Sequence, residues 1–171
     1  FKKFQLTKNQ HIHLAKMCKD SGVKYLASIW DINVLKWIDK YLNFYKIGSG
    51  DLTCYQLIKK FAKRGKPIIL SSGLSTMREV DQTINFIIKN NRKYHKSENL
   101  SVMQCTSSYP TDDFEANLRV ITNLSKRKGI TAGYSDHTLG SLALKTAYSL
   151  GAQVLEFHFT DTRKNKSFRD H

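Results

Sequence analysis

The sequence is poor in the residues that mark fibrous, disordered or disulfide-rich proteins. Only 2 of its 171 residues are proline and 9 are glycine, which excludes a collagen-like or low-complexity chain. The 3 cysteines, Cys18, Cys54 and Cys105, are widely spaced and include no Cys-x-x-Cys pair, so we expect neither a disulfide framework nor a zinc knuckle. Cys105 has no base beside it in the sequence, and we interpret it as a core thiol. A reducing, cytoplasmic location fits this cysteine pattern.

Long apolar runs and acidic residues are also scarce. No run approaches the ~20 apolar residues that a membrane-spanning helix needs. The 28 Lys and Arg residues outnumber the 14 Asp and Glu residues and give a formal charge of +14. These positive charges are spread over most of the predicted helices and match no RNA-recognition, helix-turn-helix or zinc-finger pattern. We therefore predict no membrane partner and no nucleic-acid partner, and the charge leaves open a preference for anionic substrates.

What the sequence does contain is a regular alternation of short apolar runs with stretches of helical periodicity. We predict a strand in each of six runs, at residues 24–28, 45–50, 67–73, 100–106, 131–136 and 153–160. Capping-box spacing of Thr7 with Gln10 and of Thr76 with Glu79 predicts two helix starts, and Gly65 is placed to end the helix after the second run. The strand starts are about 20 to 35 residues apart, which is typical of parallel βαβ units and predicts an α/β fold.

Polar residues collect at the ends of the predicted strands. Two architectures fit the alternation, a doubly wound open sheet and part of an eight-stranded barrel, which takes ~250 residues when complete. In both architectures, ligands bind beyond the carboxyl ends of the parallel strands. Five of the six predicted strands end in hydroxyl side chains, and two of them also end in histidine. We therefore expect the binding face at this end of the sheet.

The ends of the second and third runs contain the parts of an anion site. Gly48 and Gly50 would let the backbone approach a ligand, Ser49 and Ser71 offer hydroxyl donors, and Lys46 supplies a positive charge. Together they are typical of a phosphate cradle, although no Walker loop is present. The Gly-Ser-Gly segment is also common as a tight turn between a strand and a helix, so both interpretations stand at this point.

Two histidines follow the last two predicted strands. Neighbouring parallel strands lie ~4.8 Å apart, so His137 and His158 could reach one divalent ion, although either could instead be structural. Glu156 shares a strand face with His158, and it could orient ligands or form an ion pair with Lys46. Asp136 could be a third ligand, an acceptor behind the ligands or the cap of the next helix.

Five motifs in this order are similar to those of a known family. They are YKIGSGD at 45–51, PIILSSG at 67–73, CTSSYP at 105–110, GYSDHTLG at 133–140 and EFHFT at 156–160. Together they resemble the sialic acid synthases, the N-acetylneuraminate synthase family. The resemblance implies a TIM-type (β/α)8 barrel. Residues 1–171 would then be a single partial barrel domain with the third to eighth strands, without the first two strands and the carboxy-terminal antifreeze-like domain.

The resemblance also implies an activity and a set of site residues. The family condenses phosphoenolpyruvate with an N-acetylated hexosamine, such as N-acetylmannosamine, to a sialic or related nonulosonic acid and phosphate, with manganese or magnesium. The catalytic residues would be Lys46, His137 and His158. By position, phosphoenolpyruvate would be held by Lys46, Ser49, Ser71 and Ser135. The metal would be bound by His137 and His158. The sugar would be contacted by Asp51, Ser107, Tyr109 and Asp170. The full-length protein would be a homodimer, and we expect the 171 residues alone to be inactive.

Two other functions remain open on the sequence. Lys46 at a strand end could be the nucleophile of a Schiff-base aldolase, in which case borohydride would trap it with a keto substrate. The basic surface could instead serve a non-catalytic module that binds anions or nucleic acid. Such binding would be sensitive to salt and would survive changes at His137 and His158.

Overall fold

The core of the computed structural model, which describes residues 5–162 and 164, is a parallel sheet of five strands. The strands are β1 (Tyr45–Ile47), β2 (Ile68–Ser71), β3 (Leu100–Cys105), β4 (Thr131–Asp136) and β5 (Val154–Phe157). They lie in the sheet in chain order, and each pairs in parallel with the next. The predicted α/β class is therefore confirmed.

Within these described residues the chain also forms six α-helices. They are α1 (Lys8–Asp20), α2 (Ile32–Ile38), α3 (Tyr55–Arg64), α4 (Met77–Asn90), α5 (Arg119–Ser125) and α6 (Leu142–Ser149). Both predicted capping boxes are present, at the starts of α1 and α4. Gly65 ends α3 with a φ of 73°, a left-handed conformation that glycine adopts without strain. In the described part of the chain, none of the helices combines the length and the apolar character needed to cross a bilayer.

The prediction of the first of the six strands is wrong. Residues 24–28 form no strand, and within the described residues β1 pairs only with β2. The apolar side chains of this run are half-buried, and the hydroxyl of Tyr25 hydrogen-bonds to His11 on α1. The apolar character of this run therefore reflects its packing near helix α1. A strand also needs backbone hydrogen bonds to a neighbouring strand.

The sheet is strongly curled. In a flat sheet, β1 and β5 would lie about 19 Å apart, because neighbouring strands are separated by about 4.8 Å. Yet Lys46 on β1 and Glu156 on β5 form an ion pair, with 3.5 Å between Nζ and Oε1. This contact, together with a strand order that never reverses, excludes the doubly wound open sheet and defines a half-barrel.

The two faces of the curled sheet have different roles. On the outer face, Tyr45 stacks on Phe61 of α3 with 4.4 Å between ring centres, inside a continuous apolar core. Because side chains alternate along a strand, Lys46 points to the inner face. On that inner face Lys46 contacts Ser71 and Glu156 directly, and Glu156 in turn accepts a hydrogen bond from Ser135. The alternation thus separates a core that stabilises the fold from a polar inner layer.

Gly133 lets β4 pack closely between its neighbours, and its replacement by alanine should destabilise the protein. A Cβ at this position would lie 2.8 Å from the backbone oxygen of Val154 on β5 and 2.7 Å from Cγ of Met103 on β3. Because a backbone atom cannot rotate away, strands must shift, and we expect Gly133→Ala to lower the free energy of unfolding by about 1–3 kcal/mol. Urea unfolding measures this change.

Gly48→Ala is the matched control. Gly48 has a φ of −70°, and a Cβ there would meet nothing within 4 Å, so alanine fits without strain. Its unfolding free energy should equal or slightly exceed that of the parent. Equal stabilities for the two variants would contradict the packing argument at Gly133.

Candidate active site

Lys46 is at the centre of a polar cluster on the inner face of the sheet. Its side chain is only 9% exposed, and Nζ donates a hydrogen bond of 2.9 Å to Ser71 Oγ on β2. Glu156, 40% exposed, pairs with the same ammonium group and accepts a hydrogen bond of 2.7 Å from Ser135 Oγ. The cluster thus brings an ammonium group and two hydroxyls together at the mouth of the half-barrel, a set of donors that suits an anionic ligand. Of the alternatives left open for Glu156, the ion pair with Lys46 is the one observed.

A hydrogen bond connects the loop after β1 with the loop after β2 next to this cluster. Ser49 Oγ accepts a hydrogen bond of 3.0 Å from the backbone N–H of Gly73. A Cβ on Gly73 would stand 2.8 Å from Ser49 Oγ and 2.5 Å from Ser107 Oγ, so only glycine lets these two serines come together here. At Gly48 and Gly50, where the sequence predicts that the backbone can approach a ligand, a Cβ would meet no protein atom within 4 Å. The close approach within the protein is at Gly73.

His137, His158 and Tyr109 form an aromatic group beside the cluster. The ring centres of the two histidines are 5.4 Å apart, and Tyr109 lies 4.0 Å from His137 and 5.8 Å from His158. Metal-to-nitrogen bonds of about 2.1 Å put the centres of two imidazoles that share one ion about 5 Å apart. The spacing of His137 and His158 therefore fits a shared divalent ion.

The environment of His137 also fits a metal ligand. Its Nδ1 lies 2.7 Å from the carbonyl oxygen of Thr106, which can only accept, so Nδ1 carries the proton and Nε2 the lone pair. Burial lowers the pKa of His137, but hydrogen bonds to Cys105 and Thr106 outweigh it and raise the pKa above its ordinary value. Carbonyl-bound imidazoles of this tautomer are common metal ligands in proteins.

Asp136 does not join the histidines. Its Oδ1 accepts hydrogen bonds from the hydroxyl of Tyr134 at 3.0 Å and from the backbone N–H of Thr138 at 2.9 Å. Helix α6 begins at Leu142 after Ser141, so the interpretation of Asp136 as a helix cap is wrong. Across residues 5–162 and 164, no group of three or more His, Cys, Asp or Glu side chains could hold a metal ion. A cation at the two histidines would therefore take further ligands from water, substrate or residues beyond these.

Cys105 connects the serine cluster with the histidine group. The thiol is buried at the end of β3, with Sγ 4.0 Å from Nδ1 of His137. Burial raises its pKa, but interactions with His137, Ser49 and Ser135 outweigh the burial and hold the pKa below its ordinary value. The sequence around Cys105 contains no base, because His137 becomes its neighbour only through the pairing of β3 with β4. All three cysteines are free.

The residues predicted to contact a sugar lie around the same mouth. Asp51 follows β1 and accepts a hydrogen bond of 2.9 Å from Nε1 of Trp30. Ser107 lies against Gly73, and Tyr109 is 51% exposed beside the histidines. Asp170 lies outside the described residues. The structure thus brings the other nine predicted site residues to one end of the sheet. Trp30 lies beside them through its contact with Asp51, although none of the sequence motifs includes it.

Fold and site together define a class of protein. It is an α/β half-barrel with an ammonium group, several hydroxyls and two histidines at the carboxyl ends of its strands, the end at which barrel enzymes place their active sites. The chain belongs to the NeuB family, whose model matches residues 1–171.

Named relatives and solved structures agree with this assignment. The chain is 36% identical over 164 residues to N-acetylneuraminate-9-phosphate synthase of Drosophila melanogaster, covering 95% of this chain and 43% of that protein. It is 34% identical over 170 residues to N,N'-diacetyllegionaminic acid synthase of Campylobacter jejuni, covering 99% of this chain and 50% of that protein. The chain therefore spans about half the length of these curated relatives.

A solved structure gives the same picture of the fold. The N-acetylneuraminic acid synthetase of Leptospira borgpetersenii, crystallised in complex with citrate, superimposes with a TM-score of 0.85 at 26% identity. The match covers 93% of this chain and 54% of that one. The relatives of this chain are thus enzymes that make sialic and related sugar acids.

Proposed function

We propose that this protein condenses phosphoenolpyruvate with an N-acetylated hexosamine to form a sialic or related nonulosonic acid and phosphate. The observation that carries the proposal is the convergence of Lys46, Ser71, Ser135 and Glu156 beside His137 and His158 in a chain of the NeuB family. The proposal includes the finer architecture, in which the five strands are part of a (β/α)8 barrel of a cytoplasmic homodimer. The 171 residues alone would then be inactive.

The Lys46 cluster would bind phosphoenolpyruvate. The ammonium group of Lys46 and the hydroxyls of Ser71 and Ser135 are donors on one inner surface, and Ser49 lies on the adjoining loop. Charge-assisted hydrogen bonds from such donors are about twice as strong as neutral ones, and they strengthen as charge builds on the leaving phosphate. Glu156 would hold Lys46 and Ser135 in position for this role.

His137 and His158 would hold a manganese or magnesium ion. This ion would lie across Cys105 from the Lys46 cluster. When bound, that ion supplies Lewis-acid polarisation of the carbonyl group of the open-chain sugar. The carbonyl of Thr106 fixes the tautomer of His137, and Tyr109 packs on its ring, so the imidazole is held before any ligand arrives. Asp51, Ser107 and Tyr109 would contact the sugar.

The proposed chemistry needs no covalent bond to the protein. The methylene carbon of phosphoenolpyruvate attacks the aldehyde carbon of the sugar, whose oxygen takes up a proton and becomes a hydroxyl. Water adds to the resulting cationic carbon and loses a proton to give a tetrahedral intermediate. Loss of the second proton and cleavage of the carbon–oxygen bond to phosphate then leave the keto acid. The donors around Lys46 would stabilise the charge of the departing phosphate.

Phosphate release from phosphoenolpyruvate tests the proposal. The assay uses the complete gene product with N-acetylmannosamine, its 6-phosphate or a diacetylated hexosamine, with manganese and with a chelator. We expect release only when one of these sugars and the metal are both present, and an equal amount of a keto acid product. Release without sugar, or no release with any of the three sugars, would contradict the proposal.

A further inference from the structure

Trp30 is an exposed aromatic residue at the mouth of the half-barrel, the end of the sheet where the carboxyl ends of the strands lie. Its side chain is 74% exposed, although a large aromatic ring in water is unfavourable. Its backbone is fixed from both sides, because Ile29 is buried in the core and Asp31 caps α2 by accepting from the N–H of Asn33. The exposed ring is therefore attached to a backbone that is anchored on both sides.

The edge of this ring is hydrogen-bonded to a residue of the candidate site. The indole Nε1–H of Trp30 donates a hydrogen bond of 2.9 Å to Oδ2 of Asp51. Asp51 is itself held, because its backbone N–H donates to the carbonyl of Gly48 in the turn after β1. The indole N–H fixes one carboxylate oxygen, so the carboxylate can present Oδ1 to the hydroxyl group of a ligand.

We propose that Trp30 selects the acceptor sugar, by orienting Asp51 and by stacking its ring on the apolar C–H face of the sugar. This inference rests on the proposed function and deepens it, because it names a residue outside the five motifs that recognises the hexosamine. A pyranose or extended hexose presents one apolar face and a rim of hydroxyls. An aromatic ring with a carboxylate at its edge matches both features, and burial of the ring face removes apolar area from water.

The kinetic test compares Trp30→Phe with Trp37→Phe in the complete gene product. Phenylalanine at position 30 keeps a ring but loses the N–H, so KM for the sugar should rise about tenfold, while KM for phosphoenolpyruvate stays within about twofold. Trp30→Ala should raise KM for the sugar about a hundredfold, because this variant loses the ring as well as the N–H. Trp37, the other tryptophan of the chain, lies on α2 against His11, and Trp37→Phe should behave as the parent.

A second variant separates positioning from a general structural effect. If Trp30 acts through Asp51, Trp30→Phe should add no further rise in KM once Asp51 has been replaced by alanine. Additive effects of Trp30→Phe and Asp51→Ala would overturn the positioning role. An unchanged KM for the sugar in Trp30→Ala would overturn the inference as a whole.

Fluorescence distinguishes failure of this inference from failure of the proposed reaction. Addition of the acceptor sugar alone should shift the tryptophan emission of the parent and of Trp37→Phe, but not that of Trp30→Phe. A shift without phosphate release would keep the sugar contact and overturn the condensation. Phosphate release with the same emission shift in all three proteins, or with no shift, would overturn the contact and keep the condensation.

Discussion

Replacing either His137 or His158 with alanine is expected to abolish phosphate release and to weaken manganese binding by at least about a hundredfold. The two rings lie 5.4 Å apart, and each would supply one nitrogen to the same ion, so losing either leaves a single imidazole. A single neutral nitrogen at the mouth of a half-barrel competes poorly with water for a divalent cation. Electron paramagnetic resonance of free Mn²⁺ measures the binding directly, without any need for turnover.

His13→Ala is the control for this pair. His13 is an exposed residue of α1 and belongs to neither the Lys46 cluster nor the histidine group, so its loss should change neither manganese binding nor phosphate release. Manganese binding that is equal in the parent and in both site variants would contradict the assignment of the metal ligands. It would do so even if the activity of these variants fell.

Local patterns were sufficient for most of the fold. Alternation of apolar runs and helical stretches predicted all five observed strands, because β1 to β4 are largely buried and a helical segment precedes each of the five strands. The same reasoning failed at residues 24–28, where apolar side chains pack near α1 without a backbone ladder. Periodicity could not choose between the open sheet and the barrel, because that choice depends on the contact of Lys46 with Glu156, about 110 residues apart.

For the site, too, local sequence patterns predicted some residues, whereas the role of others depends on contacts between distant segments. Polar residues at strand ends, such as Ser71 and Ser135, were predictable because carboxyl ends of parallel strands meet at one edge. Gly73 and Trp30 were not, because their importance lies in contacts between loops. The exposure of Trp30 and its hydrogen bond to Asp51 are visible only in the folded chain, because the two residues are 21 positions apart.

Lys46→Met is expected to lower kcat/KM for phosphoenolpyruvate by about a thousandfold. Methionine keeps the length and much of the volume of the side chain but removes the charge that faces Ser71 and Glu156. The fold should survive, because the exposed side of Glu156 limits the contribution of this ion pair to about 1 kcal/mol or less. Steady-state phosphate release and thermal unfolding measure the two effects separately. Lys59→Met, on the exposed face of α3, is the control and should match the parent in both.

Lys46→Arg separates the condensation from the Schiff-base alternative. Arginine retains a positive charge near Ser71 and Glu156, so anion binding predicts that it recovers at least about tenfold of the activity lost in Lys46→Met. An aldolase would be equally inactive with arginine and methionine, because neither has an amine that can form an imine with a keto substrate. Borohydride with the keto acid product should then leave the parent unlabelled. A trapped Lys46, with Lys46→Arg no better than Lys46→Met, would contradict the phosphate-binding role and favour a covalent nucleophile.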